Sequence, residues 1–229
     1  MQSQKELIKK AFELSLPIFA GYLFLGISFA ILAVSNGFVW WLPIVMSIIT
    51  YAGSMQFAAI PLILAPFNPG HAIFLAILIN ARHIFYGISL LEPYSKIKKH
   101  RNYMIFALTD ETFSLISSLH LSGKSYPDKL YLYISILDHS YWVFGTIVGV
   151  ILGNTLPFNP EGIDFVLTAL FYVIFLEQWL EQKDYQSALI GLISSALCLI
   201  AFGEQYFMIP AMFLIILSFF FKYKKEEAK

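Results

Sequence analysis

Long apolar segments make up most of this chain, and their lengths predict its architecture. From Leu14 to Ala81 there is no Asp, Glu, Lys or Arg. A helix needs about 20 apolar residues to cross a bilayer. The pattern therefore predicts an all-α integral membrane protein, a polytopic helical bundle. Its apolar segments fall at about 14–35, 38–65, 72–91, 103–121, 130–153, 163–180, 185–203 and 206–221.

Basic residues predict which ends of these segments face the cytoplasm. The positive-inside rule places every basic cluster, and with them both termini, on the cytoplasmic side of a bacterial cell membrane. If all eight segments crossed the membrane once, some basic clusters would lie on the external side. All of them lie on the cytoplasmic side if two segments turn back without crossing, which leaves six crossings. The basic clusters lie at Lys5–Lys10, Lys96–Arg101, Lys124–Lys129, Lys183 and Lys222–Lys225.

The two segments with a break in the middle are the candidates for turning back. Residues 38–65 are interrupted at Ala52–Ser54, and residues 103–121 at Thr109–Glu111. The first would enter from outside and the second from inside, so that these re-entrant tips meet near the midplane, as in inverted-repeat transporters. A likeness between the stretches after Leu16 and Leu137 is compatible with an inverted repeat but is faint.

Composition supports a single membrane domain. Hydrophobic residues are 58% of the chain and charged residues 13%, against roughly a quarter charged in soluble domains. We expect a cytoplasmic tail at 1–13, one transmembrane transport domain at 14–221 and a basic cytoplasmic tail at 222–229. The uncharged stretch 14–34 is too long for a signal peptide, which predicts a retained first span. The balanced charge gives no nucleic-acid signature, and Cys198, the single cysteine, excludes an intrachain disulfide.

Ionisable residues inside apolar segments are the informative exceptions. Arg82 and His83 lie within 72–91, and Asp110 and Glu111 lie within 103–121. A charge at that depth costs roughly 2.5–3.5 kcal/mol on insertion scales. Such residues pair with one another, line a wet cavity or handle a substrate, so transport is the first function to test.

The string Tyr51–Phe57, YAGSMQF, has the composition of a helix break. Gly53 permits backbone conformations that other residues resist. Ser54 could cap a new helix whose free N–H groups attract a carboxylate. The alternative is a packing face of small residues against a neighbouring helix.

The string Asn80–His83, followed by Tyr86, places a cation in a span. Arg82 and Tyr86 share one helical face by their spacing, and a guanidinium can hold a carboxylate through two parallel hydrogen bonds. The alternative is a structural salt bridge from Arg82 to an acidic residue of 103–121. His83 titrates near neutrality and suits proton coupling, although a buried histidine is often only hydrogen-bonded.

The string Thr109–Thr112, TDET, has the residue types of an ordinary helix N-cap. Its neighbours on both sides are apolar, so this cap lies at membrane depth. A carboxylate there can meet a substrate ammonium or carry a proton.

A further set of residues lies in the segment 130–153. Gly145, Gly149 and Gly153 follow one another at a spacing of four, which predicts tight helix packing, within the chain or against a partner. Asp138 and His139 lie nearer the start of the segment, where a position at the membrane interface explains them.

Together these strings are similar to those of the AzlC-type branched-chain amino-acid permease family, the large subunit of a two-component exporter. Each string alone is weak, whereas the ordered set, across about residues 14–175, is specific. Ala30 stands where the family pattern has glycine, which affects packing more than chemistry. The matching residues are Leu16–Ile18 with Gly21, Tyr22 and Gly26; Ser47 with Tyr51–Phe57; Asn80–His83 with Tyr86 and Gly87; Leu108–Phe113; Trp142 with Gly145, Thr146 and Gly149; and Gly162–Phe165.

The resemblance implies secondary, ion-gradient-driven export of leucine, isoleucine and valine, with methionine as a further candidate, and a small AzlD-type transmembrane subunit as partner. Our hypothesis is that Arg82, or the helix after Ser54, holds the substrate carboxylate, while Asp110 or Glu111 attracts its ammonium. No cofactor, metal ligand or catalytic residue is predicted. The candidate substrate-binding residues are Tyr51, Gly53, Ser54, Gln56, Phe57, Asn80, Arg82, Tyr86, Thr109, Asp110 and Glu111, and the candidate proton carriers are His83, Asp110 and Glu111.

Two other classes of protein stay open. A passive channel or a structural membrane subunit would have the same apolar pattern. An intramembrane enzyme would use His83, Asp110 and Glu111 as acid and base, but no protease string of the His-Glu-x-x-His or Gly-x-Ser-x-Gly type occurs. The phosphate-binding string GxxxxGK[ST] is also absent from the sequence, so this chain does not use ATP directly.

Overall fold

The computed structural model describes residues 3–66, 68–95, 97, 99–121, 126–155 and 185–227, together with 165, 172, 176 and 179. Two compact units divide the chain, Met1–Leu167 and Thr168–Lys229. Every described element is an α-helix, which confirms the all-α class. Most of the predicted segment 163–180 lies outside the described residues, as do Lys96, Lys98, Lys124, Lys183 and the string 162–164.

The first unit is built from one long helix at each end and shorter helices between them. Helix α1 starts with a capping box, in which Ser3 and Glu6 each accept a backbone hydrogen bond from the other. The helices of this unit are α1 (Gln4–Ser35), α2 (Trp41–Ile49), α3 (Gly53–Leu64), α4 (Pro69–Asn80), α5 (Arg82–Ser89), α6 (Leu91–Ser95), α7 (Arg101–Phe106), α8 (Asp110–Leu121) and α9 (Asp128–Thr155).

Three described helices are long and apolar enough to cross a membrane: Gln4–Ser35, Asp128–Thr155 and Tyr185–Gly203. A fourth span results if the bent pair Pro69–Ile77 and Arg82–Ser89 counts as one. A polytopic helical membrane protein is therefore confirmed. Six crossings with two re-entrant segments stay a prediction.

Helices α1 and α9 pack so closely that glycines on each helix lie directly against the backbone of the other. A Cβ added at Gly149 would lie 2.5 Å from the carbonyl oxygen of Ile27, and one added at Gly145 would lie 2.8 Å from that of Tyr22. Gly26 on α1 approaches the α9 backbone just as closely. The glycine spacing thus predicted correctly a tight contact, and it lies within the chain.

The first predicted break is confirmed, with a different local geometry. Helix α2 ends at Ile49 and α3 begins at Gly53. The left-handed residue is Tyr51, with φ of 43°, rather than Gly53. Gly53 instead lets the Trp142 ring approach the start of α3 closely, because a Cβ at this position would lie 3.1 Å from that ring. This contact also agrees with the small-residue alternative.

The prediction that Ser54 caps this helix is wrong. Helix α3 begins at Gly53, two residues earlier than a Ser54 cap would place it, so its N-cap is Ala52, which makes no side-chain cap hydrogen bond. The Ser54 hydroxyl therefore lies within the first turn and is available to another partner. The backbone N–H of Ala52 donates to Oε1 of Gln56 at 3.3 Å.

The second predicted break is confirmed between α7 and α8. Helix α7 ends at Phe106 and α8 begins at Asp110. Thr109 caps α8, because its hydroxyl accepts from the backbone N–H of Thr112 at 3.3 Å. An apolar core that includes Met104, Ile116 and Leu130 holds this region together.

A bend that the sequence did not predict divides the segment 72–91. The axes of Pro69–Ile77 and Arg82–Ser89 differ by 41°. The side-chain amide of Asn80 donates to the carbonyl oxygen of Ala76 at 2.8 Å, where it competes with the backbone hydrogen bond of the helix. The bend turns the face of α5 that carries Arg82 relative to α4.

The second unit contains two described helices, α10 (Tyr185–Tyr206) and α11 (Met208–Glu227). Its buried side chains include Ser194 and Cys198 on α10 and Ala211 on α11. Gly203 has a φ of 71° near the end of α10, a conformation that glycine adopts without strain.

Candidate functional site

Arg82 joins the first turns of both interrupted helices. Its Nη2 donates to Oγ of Ser54 at 3.0 Å, in the first turn of α3. The same atom lies 2.9 Å from Oδ2 of Asp110, the first residue of α8. Two helix N-termini that lie far apart in the sequence therefore converge on one guanidinium. The side chains of Arg82 and Asp110 stay 32% and 22% exposed, so the ion pair is accessible from outside the protein.

Tyr86 completes the coordination of Asp110. Its hydroxyl donates to Oδ1 of Asp110 at 2.9 Å, while its ring stacks on Phe113 with centroids 4.3 Å apart. Arg82 and Tyr86 lie one helical turn apart on α5, so the predicted shared face is confirmed. The predicted structural salt bridge from Arg82 is present as well, to Asp110.

Glu111 points towards α1 rather than α5. The Tyr22 hydroxyl donates to Oε2 of Glu111 at 2.8 Å and also lies in hydrogen-bond contact with the Thr109 hydroxyl. Tyr22 is almost completely buried, and its ring packs edge-on against Trp142 at 5.6 Å. Adjacent acidic residues thus have different partners: Asp110 an arginine and a tyrosine, Glu111 a tyrosine.

Asp138 lies behind this site, fully buried on α9. The hydroxyl of Thr112 donates to its Oδ2 at 2.7 Å, and Thr109 in turn contacts Thr112 at 3.0 Å. The other carboxylate oxygen, Oδ1, has no hydrogen-bond partner among the described residues. The position of Asp138 near the start of its segment suggested a place at the membrane interface, so its burial in the protein interior was not expected from the sequence.

Gln56 is the centre of a second polar cluster, which ties α2, α3 and α9 together. Its Oε1 accepts from Nε1 of Trp142 at 3.0 Å, and its Nε2 donates to Oγ of Ser47 at 3.0 Å. Ser47 also contacts the Thr146 hydroxyl at 2.8 Å. The Gln56 amide is fully buried. These hydrogen bonds favour a structural role for Gln56, which stabilises the break between α2 and α3. The role in substrate binding stays a prediction.

The left-handed residue Tyr51 is held by aromatic contacts. Its ring lies 4.3 Å from that of His139, centroid to centroid. His139 is itself fixed at both nitrogens, since Nδ1 lies 3.0 Å from the Tyr103 hydroxyl and Nε2 lies 3.2 Å from the carbonyl oxygen of Ser47. The break in the first interrupted segment is thereby attached to α7 and α9.

The remaining predicted residues lie around this centre. His83 is half-buried, with Nδ1 3.2 Å from the carbonyl oxygen of Asn80 and its ring edge-on to Tyr86 at 5.3 Å. Phe57 is buried and packs on Phe29 at 5.6 Å. Roles of these residues in substrate binding or proton transfer stay predictions. Among the described residues, no three His, Cys, Asp or Glu side chains come together as metal ligands would.

Sequence reasoning missed the polar side chains that lie behind the ion pair. They are Tyr22 on α1, Thr112 on α8 and Asp138 on α9. Tyr22 lies four residues before Gly26, so the two residues share one face of α1. A polar side chain that shares a helix face with a glycine is the signal that could have identified Tyr22.

Comparison with known proteins identifies the family of this chain. The family model described as AzlC protein matches residues 17–156, more than half of the chain. The chain is 46% identical to the branched-chain amino acid transport protein AzlC of Bacillus subtilis, over 91% of this chain and 82% of that protein. It is 40% identical to an uncharacterized membrane protein of Haemophilus influenzae, over 98% and 92% of the two chains.

A more distant relative extends the same pattern. The inner membrane protein YgaZ of Escherichia coli is 27% identical over 87% of this chain and 82% of its own length. No solved structure matches the chain. The match to the family model and the 46% identity to the Bacillus protein together show that this chain belongs to the AzlC family.

Proposed function

We propose that this chain is the large subunit of an exporter of leucine, isoleucine, valine and methionine, driven by a proton gradient. The name of the Bacillus relative supports branched-chain amino acids as the substrate class. The observation that carries the mechanism is the convergence of Ser54, Arg82 and Asp110 at the tips of two interrupted helices.

The charges of this centre fit a zwitterion. One guanidinium and two carboxylates, from Arg82, Asp110 and Glu111, leave one negative charge, which a bound proton neutralises. An amino acid adds a carboxylate and an ammonium and keeps the balance. In the proposed cycle the substrate enters between Arg82 and Asp110, so that the guanidinium binds its carboxylate and the acidic residues bind its ammonium.

The ion pair also gives the cycle two states. Without substrate, Arg82 holds Ser54 of α3 and Asp110 of α8 together. With substrate, both charged groups exchange an internal partner for an external one, and the two helix tips separate. Alternating access around a midplane site in other transporters depends on such discontinuous helices.

Partner and location complete the proposal. The chain works in the bacterial cell membrane with both termini in the cytoplasm, beside a small AzlD-type membrane subunit. The apolar residues exposed on its surface, such as Phe24, Ile84 and Ile88, suit contact with lipid or with that subunit. Copurification with a small membrane protein tests the partner.

Counterflow of labelled leucine in proteoliposomes tests the transport mechanism. A carrier exchanges labelled for unlabelled leucine with saturation and trans-stimulation, whereas a channel or a structural subunit does neither. We expect Arg82→Gln and Asp110→Asn to abolish this exchange. The matched controls are Arg101→Gln and Asp128→Asn, which replace an exposed arginine and an exposed aspartate. Both control variants should retain leucine exchange. Full exchange by the first two variants would remove the ion pair from the transport site.

A further inference from the structure

We propose that Asp138 is an interior proton-binding residue, connected to Glu111 by a continuous chain of three hydroxyl groups. The inference rests on the proposed function, because the proton concerned is the coupling ion. It adds a residue on α9 to the candidate carriers His83, Asp110 and Glu111.

The chain of hydroxyls has no gap. Oε2 of Glu111 lies 2.8 Å from the Tyr22 hydroxyl, which contacts the Thr109 hydroxyl. Thr109 lies 3.0 Å from the Thr112 hydroxyl, and Thr112 lies 2.7 Å from Oδ2 of Asp138. Every link is within hydrogen-bond distance, and each intermediate group is a hydroxyl that can donate one hydrogen bond while it accepts another.

The same heavy atoms allow two arrangements of protons. When Glu111 carries the proton, the donors run from Glu111 through Tyr22, Thr109 and Thr112 to an ionised Asp138. When Asp138 carries it, every donor points the other way and Glu111 is ionised. To pass between them, each hydroxyl releases one proton and accepts another, so that one proton leaves one carboxyl and one arrives at the other. No oxidant or further reactant is needed.

The surroundings of Asp138 favour a proton there. Its side chain is fully buried, and within the described part of the chain Oδ1 has no hydrogen-bond partner and Oδ2 accepts a single hydrogen bond. The salt bridges among the described residues are Lys9–Glu13 and Arg82–Asp110, so Asp138 has no cationic partner there. An ionised carboxylate in such a place is costly unless it is paired.

Ionisable groups that face Asp138 do not offset this cost. Among the described residues they are Glu111 from α8, Tyr22 from α1, Tyr51 from the first break and Tyr103 from α7, beside Tyr141 and the adjacent His139 on α9 itself. Two carboxylates joined in this way share one proton, because both cannot easily be charged together. Glu111, which follows Asp110 of the ion pair in the sequence, is half-buried and Asp138 is fully buried, so the connection leads from the neighbourhood of the ion pair into the interior.

A comparison of two transport modes tests the proposal. Leucine counterflow needs no net proton movement, whereas leucine transport driven by an imposed pH gradient does. We expect Asp138→Asn and Tyr22→Phe to keep counterflow and to lose the gradient-driven component. Tyr22→Phe preserves the ring that packs on Trp142 and removes only the hydroxyl link.

Matched controls distinguish the loss of a link in the hydroxyl chain from a disturbance of helix packing. Tyr141→Phe removes another buried tyrosine hydroxyl between α1 and α9, one that contacts Ser15 at 3.1 Å and lies outside the relay. It should leave both transport modes unchanged, and Asp138→Glu should retain a gradient-driven component. Gradient-driven transport by Asp138→Asn at the wild-type rate would overturn the proposal.

An infrared measurement tests the relay without leucine. The purified wild-type protein should show a carboxylic-acid C=O band that Asp138→Asn removes, and Tyr22→Phe should shift the pH at which this band disappears. A band unchanged in Asp138→Asn would overturn the proposal. If Asp138→Asn does not fold, Thr112→Val tests the same link. If the wild type shows the band but no leucine counterflow, the proposed function fails while the relay stands.

Discussion

Replacing Gly149 by alanine puts a methyl group where α1 leaves no room for it. The new Cβ would lie 2.5 Å from the carbonyl oxygen of Ile27, 2.7 Å from its Cα and 2.8 Å from Cβ of Ala30. Two of these atoms belong to the backbone, so the helices must separate by about an ångström. Overpacking of this kind costs about 1–3 kcal/mol.

Gly21→Ala provides the matched control, because a Cβ at Gly21 meets no neighbouring atom of the described residues within 4 Å. Both substitutions gain helix propensity of about 1 kcal/mol, so the difference between them isolates the clash. For a chain of this size, 1–3 kcal/mol corresponds to a difference in Tm of roughly 2–12 °C. Thermal unfolding of the two variants in the same detergent measures it.

The consequence reaches the hydroxyl chain, since α1 carries Tyr22 and α9 carries Asp138. We expect Gly149→Ala to lower leucine transport driven by a pH gradient as well as Tm, and Gly21→Ala to lower neither. A Tm of Gly149→Ala equal to or above that of Gly21→Ala would refute the close packing of α1 on α9.

Three further substitutions have definite expected results. Gln56→Met leaves the buried Trp142 N–H without its acceptor and should lower the free energy of unfolding by about 1–3 kcal/mol, measured by denaturation in mixed micelles. Tyr86→Phe keeps the ring stack but loses the hydrogen bond to Asp110, and we expect a roughly tenfold higher half-saturation concentration for leucine counterflow, since a hydrogen bond to a charged group contributes about 1.5 kcal/mol. Lys9→Met removes an ion pair whose side chains are 80% and 61% exposed, so neither Tm nor transport should change.

The sequence identified the polar centre because charges within apolar segments are rare. Arg82 and Asp110 stood out for that reason, and the structure joins them. The glycine spacing on α9 predicted its close contact, because only small residues let two helix backbones approach. Both signals are local properties of one segment.

Features that depend on two segments were not predictable in the same way. Helix α3 starts at Gly53, where the Trp142 ring of α9 lies close by, and this start took Ser54 out of the cap position. The bend before Arg82 coincides with a side-chain-to-backbone hydrogen bond from the Asn80 amide. The burial of Asp138 depends on how α8 packs on α9, which no periodicity within α9 reveals.

The number of crossings also stays a prediction. The bent pair Pro69–Ile77 and Arg82–Ser89 counts as a span only if its halves cross together. Cysteine labelling in a Cys198→Ser background tests the predicted topology, with 66–70 expected outside and 122–129 inside. The reverse labelling pattern would contradict the re-entrant arrangement.

A double-mutant cycle on Arg82 and Asp110 separates a ligand pair from a structural salt bridge. Thermal stability should fall in Arg82→Gln and in Asp110→Asn, because each leaves a charge of the partly buried pair without its partner, and it should recover in part in the double variant.

Equilibrium binding of labelled leucine to the same four proteins is the most direct test. If the two side chains hold opposite ends of the substrate, the double variant binds leucine no better than the weaker single variant. Recovery of leucine binding together with stability in the double variant would contradict the account, because the pair would then serve only to hold the two interrupted helices together.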